Sequence, residues 1–323
     1  MTNNAVLKVE NLVTHFKSVE RGKVVRAVDD VSIELMPGEI VGLIGESGCG
    51  KSTLGRSIVG LEKPNSGKIL LDGVDLSSLK GKSLRTSRRS IQYVFQDPYS
   101  SLNDRQTIGE SIGEALLIIG IRDKKQRSKR IHELLDRVGL PKHLSDRYGR
   151  ELSGGQRQRV AVARSLAVNP RVLICDEPVS ALDLSVRAQV MNLFFDLQKD
   201  LGVACLFIAH DLALVRQAAT RTYVMYLGSI VEAGSSQDIN QNPGHPYAQA
   251  LLSAIPNPDP RIERNRKAIP IIGDIPSPTD PPSGCRFRTR CPIVVDQCAE
   301  TTPESITVSD GHYVACRFAE RNG

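Results

Sequence analysis

The chain has 323 residues and a formal net charge of +6, with 40% hydrophobic and 24% charged residues, which is the composition of an ordinary globular protein. No apolar run approaches the roughly 18–20 residues needed to cross a bilayer, and the N-terminus lacks the basic-then-apolar pattern of a secretory signal. We therefore expect membrane association only through a partner, and so mild a positive charge does not by itself indicate nucleic acid.

The first part of the chain predicts strands followed by a loop and a helix. Val6–His15 alternates apolar and polar residues and Val24–Leu35 does so less regularly, which indicates antiparallel strands around a polar turn near Glu20–Lys23. The apolar run Glu39–Ile44 predicts a strand that ends in a glycine-rich turn, and Lys51–Val59 has a helical pattern.

Strands and helices then alternate up to about residue 255, which favours an α/β core with a mostly parallel sheet. The basic run Arg122–Arg130 favours a solvated helix face. The further predicted strands are Lys68–Leu71, Gln92–Phe95, Val172–Cys175 and Cys205–Ala209, the last two being buried on both faces. The further helical patterns are Ile108–Val138, Ser185–Lys199 and Leu212–Ala219.

Residues 45–52, GESGCGKS, fit the phosphate-loop pattern G-x-x-x-x-G-K-[ST]. Its glycines let backbone N–H groups point at phosphate oxygens, and the following helix adds its positive N-terminal end. We expect Lys51 to reach the outer phosphates, Ser52 to hold Mg²⁺ and Thr53 to add a phosphate contact. A short glycine pattern also arises by chance, but this one follows a strand and opens a helix. The predicted phosphate-binding residues are Gly45, Glu46, Ser47, Gly48, Cys49, Gly50, Lys51, Ser52 and Thr53.

Two acidic residues, Asp176 and Glu177, follow the buried strand Val172–Cys175. Ligands of open α/β sheets bind at the carboxyl ends of strands. Asp176 is predicted to complete the Mg²⁺ shell and Glu177 to orient and polarise the attacking water. A structural cap or ion pair is the alternative, and the phosphate loop upstream favours catalysis.

Residues 152–156, LSGGQ, precede the amphipathic run RQRVAVARSL. Ser153, Gly154 and Gly155 are expected to expose backbone N–H groups at a helix N-terminus, which is a second anion site. One chain does not need both a phosphate loop and this second anion site for one γ-phosphate. Two chains arranged head to tail do, because the phosphate loop of one chain then faces the LSGGQ segment of the other. The sequence therefore predicts composite sites in a dimer.

With these motifs in this order, the chain resembles the ATP-binding cassette (ABC) family over residues 5 to about 255. The resemblance implies that Phe16 stacks on adenine, although packing, or a role for neighbouring His15 instead, is an alternative. It implies that Gln96, in YVFQDP, contacts Mg²⁺ or water and senses the membrane subunit, and that Asp183, in SALD, couples the two sites. His210, in FIAHDL, corresponds to the histidine that contacts the γ-phosphate. The residues assigned to the partner's nucleotide are Ser153, Gly154, Gly155 and Gln156.

The implied fold is an α/β phosphate-loop domain with a mixed sheet, an antiparallel β edge and a helical subdomain at about residues 97–165. This ATP-binding domain is predicted at residues 5–255 and a C-terminal extension at residues 256–323. The extension begins with the proline-rich stretch Asn257–Pro282, which is expected to form an ordered strap or a linker rather than a core.

A narrower similarity to ATPase subunits of dipeptide and oligopeptide permeases rests on QDPYSSLN, ELSGGQRQRVAVARSL, GHPYAQALLSAIPNPDP and SGCRFRTRCP. It implies ATP and Mg²⁺, a second ATPase subunit in a heterodimer, two transmembrane permease subunits and a periplasmic solute-binding protein. It also implies a position on the cytoplasmic face of the bacterial inner membrane. Nickel, opine and glutathione importers belong to the same subfamily, so the solute stays open.

Other ABC ATPases act in DNA repair or translation, which is the main alternative. The repair members carry a long coiled-coil insertion and the translation members two cassettes, and neither is present in this sequence. Exporter halves fuse a membrane domain to the cassette, which fits this sequence poorly. Non-hydrolysing cassettes usually lack the residues that correspond to Glu177, His210 or the LSGGQ glycines, and all of these are intact here.

Four of the seven cysteines, Cys285, Cys291, Cys298 and Cys316, are spaced C-x5-C-x6-C-x17-C. A cytoplasmic chain keeps its thiols reduced, which favours a metal or cluster over disulfides. The absence of a C-x-x-C pair weakens a zinc site. Four thiolates suit a [4Fe–4S] cluster, and the resemblance favours one because some similar peptide-permease ATPases carry such a centre. Zinc and four reduced, packed thiols stay open as alternatives.

Overall fold

The computed structural model describes residues 5–97, 102–180, 182–209, 212–255, 261, 264 and 269–319. Its strands are β1 (Leu7–Lys17), β2 (Val24–Leu35), β3 (Ile40–Ile44), β4 (Ser66–Leu71), β5 (Val74–Asp75), β6 (Ile91–Val94), β7 (Val172–Asp176), β8 (Ala204–Ala209), β9 (Arg221–Tyr226), β10 (Ser229–Ser235), β11 (Ile306–Ser309) and β12 (His312–Val314). Its helices are α1 (Lys51–Val59), α2 (Gly81–Arg89), α3 (Ile108–Ile118), α4 (Lys124–Arg137), α5 (Gly154–Leu166), α6 (Leu184–Leu201), α7 (Leu212–Ala218), α8 (Ser236–Gln241) and α9 (Pro246–Ser253). Within these ranges no helix is both long and apolar enough for a bilayer crossing.

The predicted strand, glycine-rich turn and helix are confirmed as β3, a loop and α1. Asp176 is itself the last residue of β7, one position beyond the predicted strand end. The basic run belongs mostly to α4, whose lysines and arginines are largely exposed while Ile131, Leu134 and Leu135 are buried. The prediction of a solvated basic helix face is therefore confirmed.

The chain divides into two compact units. The first comprises Met1–Leu7, Leu35–Glu39 and Leu71–Leu206, and the second comprises Lys8–Glu34, Ile40–Leu70 and Phe207–Gly323.

In the first unit, β6 and β7 pair in parallel, with Val94 opposite Cys175. All five residues of β7 are buried, as expected for a strand covered on both faces. Because the two strands run in the same direction, the residues that follow them stand at the same edge. Helices α3, α4 and α5 pack on one another.

In the second unit, the strands of one sheet lie in the order β11, β12, β10, β9 and β3. The pair β3 and β9 is parallel, and the pairs β9–β10, β10–β12 and β11–β12 are antiparallel. This mixed pairing agrees with the predicted mixed sheet. A second sheet contains β2, β1 and β4. Fully buried Glu232 of β10 accepts a 2.8 Å hydrogen bond from Nε2 of His312 in β12.

Candidate functional site

The loop between β3 and α1 has a backbone that only glycine can adopt at two positions. Gly45 has a φ of +155° and Gly50 a φ of +108°. A Cβ on Gly45 would lie 2.2 Å from the carbonyl oxygen of Met225, and one on Gly50 would lie 1.9 Å from that of Ala27. Both distances are far inside van der Waals contact, so the loop packs directly on neighbouring backbone and tolerates no side chain there.

Lys51 lies across this loop at the first position of α1. Its side chain is buried, and Nζ donates to the carbonyl oxygens of Gly45 at 2.7 Å and Glu46 at 2.9 Å. Ser52 and Thr53 follow in the first helical turn and are half-buried. The first N–H groups of a helix have no partner within the helix and carry its positive end. Together with the ammonium group and the hydroxyls they form a site suited to a phosphate chain.

Cys49 contributes to this loop as a packed thiol. Its side chain is buried, with Sγ 3.7 Å from Nζ of Lys51. Burial raises the pKa of the Cys49 thiol more than the lysine lowers it, so the group remains protonated at neutral pH. Ser47 and Gly48 stand exposed at the tip of the loop.

The predicted acidic pair stands at the carboxyl end of β7. Asp176 is 2% exposed, and Glu177 has a φ of +45°. A residue other than glycine is uncommon in this left-handed region, and such residues cluster at functional sites. The Nε2 of Gln96 donates a 2.8 Å hydrogen bond to Oε2 of Glu177. The structure therefore brings together two of the residues that the motifs assigned to one site.

Tyr93 also reaches this acidic pair, and sequence reasoning missed it. Its hydroxyl donates a 2.6 Å hydrogen bond to Oδ2 of Asp176. Tyr93 belongs to β6 and Asp176 to the paired strand β7, so the parallel register explains the contact. The run YVFQDP could have indicated this contact, because Tyr93 lies three positions before Gln96 and therefore on the strand that leads to that glutamine.

The LSGGQ segment forms the N-terminus of α5, as predicted. The hydroxyl of Ser153 accepts a hydrogen bond from the backbone N–H of Gln156 at 3.3 Å, and Oε1 of Gln156 accepts one from the N–H of Ser153 at 3.0 Å. This reciprocal capping box fixes where the helix begins. Gly155 is buried, and a Cβ on it would lie 2.4 Å from Cγ1 of Val186. Gly155 is therefore also required for packing, a role that the motif alone did not indicate.

Asp183 is the exposed residue that precedes α6, and its side chain makes no capping bond to that helix. Arg187 holds the backbone that precedes Asp183. Its Nε donates to the carbonyl oxygen of Leu182 at 2.7 Å and its Nη2 to that of Ser180 at 3.2 Å. Arg187 is a second positioning residue that the sequence analysis missed.

Of the two other residues implied by the family resemblance, Phe16 belongs to the described residues. Phe16 of β1 is 36% exposed, so its ring is open to a stacking partner. Neighbouring His15 contacts Asp29 instead, with Nε2 2.9 Å from Oδ1. His210 lies outside the described residues.

The four C-terminal cysteines are gathered at one small cavity in the second unit. Cys285, Cys291, Cys298 and Cys316 line it together with His245 and Phe287. Burial raises the pKa of the Cys285, Cys291 and Cys316 thiols. Burial also lowers the pKa of His245 to about 3, so the imidazole is neutral. Its Nδ1 accepts from the N–H of Tyr247 at 3.0 Å, which assigns the ring hydrogen to Nε2.

The cysteine cavity offers four sulfur donors. Among the described residues, no three His, Cys, Asp or Glu side chains are arranged to hold a single metal ion. A zinc site requires its thiolates around one point, at about 2.3 Å from the metal. Four cysteines around a shared cavity match the donor set of an iron–sulfur cluster.

A glycine-rich phosphate loop between a parallel strand and a helix, with a buried aspartate and a hydrogen-bonded glutamate at the end of another parallel strand, is the architecture of a phosphate-loop ATPase. Two family models match the chain, namely "ABC transporter" at residues 28–180 and "Oligopeptide/dipeptide transporter, C-terminal region" at residues 231–298.

Curated relatives span nearly the whole chain. A putative peptide import ATP-binding protein of Brucella ovis is 49% identical over 98% of this chain and 98% of its own. The oligopeptide transport ATP-binding protein OppF of Salmonella typhimurium is 47% identical over 96% of this chain and 95% of its own. A solved dimeric, post-hydrolysis state of the ATP-binding cassette MJ0796 bound to ADP and Pi is 30% identical, with a TM-score of 0.64 over 71% of this chain and 98% of its own.

The chain belongs to the ABC transporter ATP-binding protein family, in its dipeptide and oligopeptide branch. It is therefore an ATPase of the transporter type. The alternative of an ATPase acting in DNA repair or translation is not supported.

Proposed function

We propose that this chain hydrolyses ATP to power the import of dipeptides or oligopeptides across a bacterial inner membrane. The observation that carries the hydrolytic part is the Gln96–Glu177 hydrogen bond at the carboxyl end of a fully buried strand. The transport part is supported by relatives of similar length whose names describe peptide import.

In this proposal ATP binds at the phosphate loop. The ammonium group of Lys51 supplies positive charge to the outer phosphates, and the loop and helix N–H groups bind their oxygens. Ser52, Gln96 and Asp176 are the oxygen ligands that we assign to Mg²⁺. When bound, that ion neutralises phosphate charge and fixes phosphate orientation. Mg²⁺ usually takes few protein ligands and keeps several waters, so the scarcity of acidic ligands here suits it. Phe16 is the assigned partner of the adenine ring.

Glu177 polarises the water that attacks the γ-phosphorus. A water oxygen–phosphorus bond forms, the bond to the bridging oxygen breaks, and ADP leaves with that oxygen. The amide of Gln96 orients the Glu177 carboxylate, and the left-handed backbone at Glu177 fixes where its side chain starts. His210 is the assigned contact to the γ-phosphate.

A second ATPase subunit completes each site through its LSGGQ segment. Support comes from the helix N-terminus at Gly154, which offers N–H groups to an anion. The dimeric state of the similar cassette supports the pairing of two such subunits. Asp183, exposed before α6, is assigned to coupling between the two sites. We propose a heterodimer because permeases of this branch usually pair two different ATPase subunits.

Replacing Glu177 with Gln tests the assignment. The amide keeps the size of the side chain but cannot polarise water as a carboxylate does, so we expect turnover to fall by about 10²–10⁴-fold. ATP binding should persist and a closed dimer should accumulate, which size-exclusion chromatography detects. Glu133→Gln, at an exposed acid of α4, is the matched control and should keep normal turnover. Normal turnover in Glu177→Gln would reject the assignment.

The proposed partners are two transmembrane permease subunits, which hold this chain at the cytoplasmic face, and a periplasmic solute-binding protein that delivers the solute. Purifying the assembled transporter and identifying the solute on its binding protein by mass spectrometry tests the peptide assignment. Dipeptides or oligopeptides would support it, and nickel, an opine or glutathione would contradict it.

For the C-terminal cavity we propose a [4Fe–4S] cluster held by Cys285, Cys291, Cys298 and Cys316, with a structural or regulatory role. The support is the gathering of all four thiols at one cavity. Metal and sulfide analysis of anaerobically purified protein should give about four irons and four sulfides per chain. One zinc per chain, or no metal, would identify the corresponding alternative and contradict the cluster.

A further inference from the structure

The cysteine-bearing segment contacts the phosphate loop directly through an arginine. Arg290 and Glu46 form two hydrogen bonds, from Nη1 to Oε2 at 2.7 Å and from Nη2 to Oε1 at 3.1 Å. The two side chains are 7% and 21% exposed. A bidentate arginine–carboxylate pair of this kind is stronger and more directional than a surface ion pair. Glu46 is the second residue of the GESGCGKS loop, so this pair holds the loop itself.

The backbone of Glu46 is held at the same place. Its N–H donates to the hydroxyl of Tyr247 at 2.8 Å, and its carbonyl oxygen accepts from Nζ of Lys51 at 2.9 Å. Tyr226 packs against the Tyr247 ring with centroids 4.7 Å apart, and its hydroxyl is 3.4 Å from Nη1 of Arg290. Arg290 and Tyr247 thus contact Glu46, Tyr226 packs between them, and Glu46 is bonded to Lys51, the lysine that we assign to the outer phosphates.

A second arginine is linked to the other end of the loop through Leu227 and Gly228. Arg286 is hydrogen-bonded to the carbonyl oxygen of Leu227 and paired with Asp29. The next residue, Gly228, donates its N–H to the carbonyl oxygen of Cys49 at 2.9 Å. The phosphate loop is therefore braced at both ends from one short segment.

The segment that carries both arginines is bounded by two of the cysteines. Arg286 follows Cys285, and Arg290 precedes Cys291. The N–H of Cys285 donates to the carbonyl oxygen of Cys298 at 2.8 Å, and the N–H of Arg290 donates to that of Phe287 at 2.9 Å. Any change that alters how Cys285 and Cys291 are held therefore moves the backbone that carries both arginines.

We propose that Arg290 is a positioning residue for ATP binding, through which the state of the cysteine cavity controls the shape of the phosphate loop. The inference rests on the proposed binding of ATP at that loop. Arg290 acts through Glu46 and makes no contact with the attacking water, so its loss weakens ATP binding and leaves the chemical step at saturating ATP largely intact. The expected signature is a raised KM for ATP with a nearly unchanged kcat.

The test measures binding of trinitrophenyl-ATP by fluorescence, together with KM and kcat, on the full chain. Arg290→Met should weaken binding by about 10–100-fold, which is the loss expected for a charged hydrogen-bonded pair. Arg290→Lys keeps the positive charge but cannot form both hydrogen bonds of the planar guanidinium, so it should recover part of the affinity. Arg130→Met is the matched control. Arg130 also pairs with a glutamate, Glu133 of α4, and neither residue belongs to the phosphate loop or the cysteine cavity, so its loss should change affinity less than twofold.

Glu46→Gln tests the pair from the loop side in case Arg290→Met does not fold. It should weaken binding to a similar degree, and the double variant should be no worse than either single variant, because both remove the same interaction. Cys291→Ser should also weaken binding, and the effect should vanish in the Arg290→Met background.

The proposal fails if Arg290→Met or Glu46→Gln binds the nucleotide within twofold of the parent protein, or if Arg130→Met is equally impaired. It also fails if Cys291→Ser acts equally with and without Arg290. Absence of nucleotide binding by the parent protein would instead refute the proposed function, and binding without peptide transport would refute only the solute assignment.

Discussion

Gly155 of the LSGGQ segment offers a test that separates packing from phosphate binding. Replacing it with Ala introduces a Cβ 2.4 Å from Cγ1 of Val186, whereas the next nearest atom is 3.8 Å away. The clash therefore comes from a single methyl group on α6. At neighbouring Gly154 a Cβ would meet only Cδ2 of Leu182, at 3.3 Å, so Gly154→Ala is the matched control.

The magnitude follows from two opposing effects. Overpacking costs about 1–3 kcal/mol, and alanine gains up to about 1 kcal/mol over glycine in a helix. Gly155→Ala should therefore lose up to about 2 kcal/mol of unfolding free energy, and Gly154→Ala should be neutral or slightly stabilised. Val186→Ala removes the clashing methyl and alone should cost about 1 kcal/mol, because the side chain is only half-buried.

Urea denaturation of the four variants Gly155→Ala, Val186→Ala, their combination and Gly154→Ala is the assay. We expect the combination to be more stable than the sum of its parts by about 1–3 kcal/mol. If ATPase activity stays low while stability returns, Gly155 also serves the nucleotide of the partner. Additive effects within about 0.5 kcal/mol would refute the packing role.

Three further variants test single contacts. Tyr93→Phe removes the donor to buried Asp176 and should cost about 1–3 kcal/mol in urea unfolding; an unchanged midpoint would contradict this. Burial works to raise the pKa of Asp29, but the guanidinium and imidazole bonded to it lower that pKa overall. The stability that the ionised Asp29 carboxylate contributes is therefore present above about pH 4 and is lost as the pH falls through its folded-state pKa. Asp29→Asn should for that reason lower Tm more at about pH 7 than at about pH 3. Equal losses of Tm at the two pH values would contradict this expectation. Glu232→Gln replaces a buried carboxylate that accepts hydrogen bonds from His312 and from the N–H groups of Gly244 and His245. It should cost about 2–4 kcal/mol of unfolding free energy in the same urea assay. A loss below about 0.5 kcal/mol would exclude a stabilising role for these hydrogen bonds.

The local elements of the phosphate site could be predicted from sequence because their signals are local. The apolar run before Gly45 gave β3 within one residue, and the helical pattern gave α1 with the bounds Lys51–Val59. The buried strand before the acidic pair was recognised by its continuous apolar character. In each case a few neighbouring residues determine both burial and backbone conformation.

The contacts that sequence reasoning missed depend on registers and packing between distant segments. Tyr93 meets Asp176 only because β6 and β7 pair in one particular parallel register. The tight fit of Gly155 on Val186 depends on how two helices approach each other. The Arg290–Glu46 pair joins residues 244 positions apart, and no local pattern marks such a partner.

This separation has a consequence for biosynthesis. The phosphate loop is made early, whereas Arg290 follows it by 244 positions and Arg286 follows Asp29 by 257. Domains fold as their parts emerge from the ribosome, so a nascent chain stalled before Arg286 carries a phosphate loop that neither arginine braces. Capture of nucleotide in its final geometry therefore waits until translation has passed Arg290.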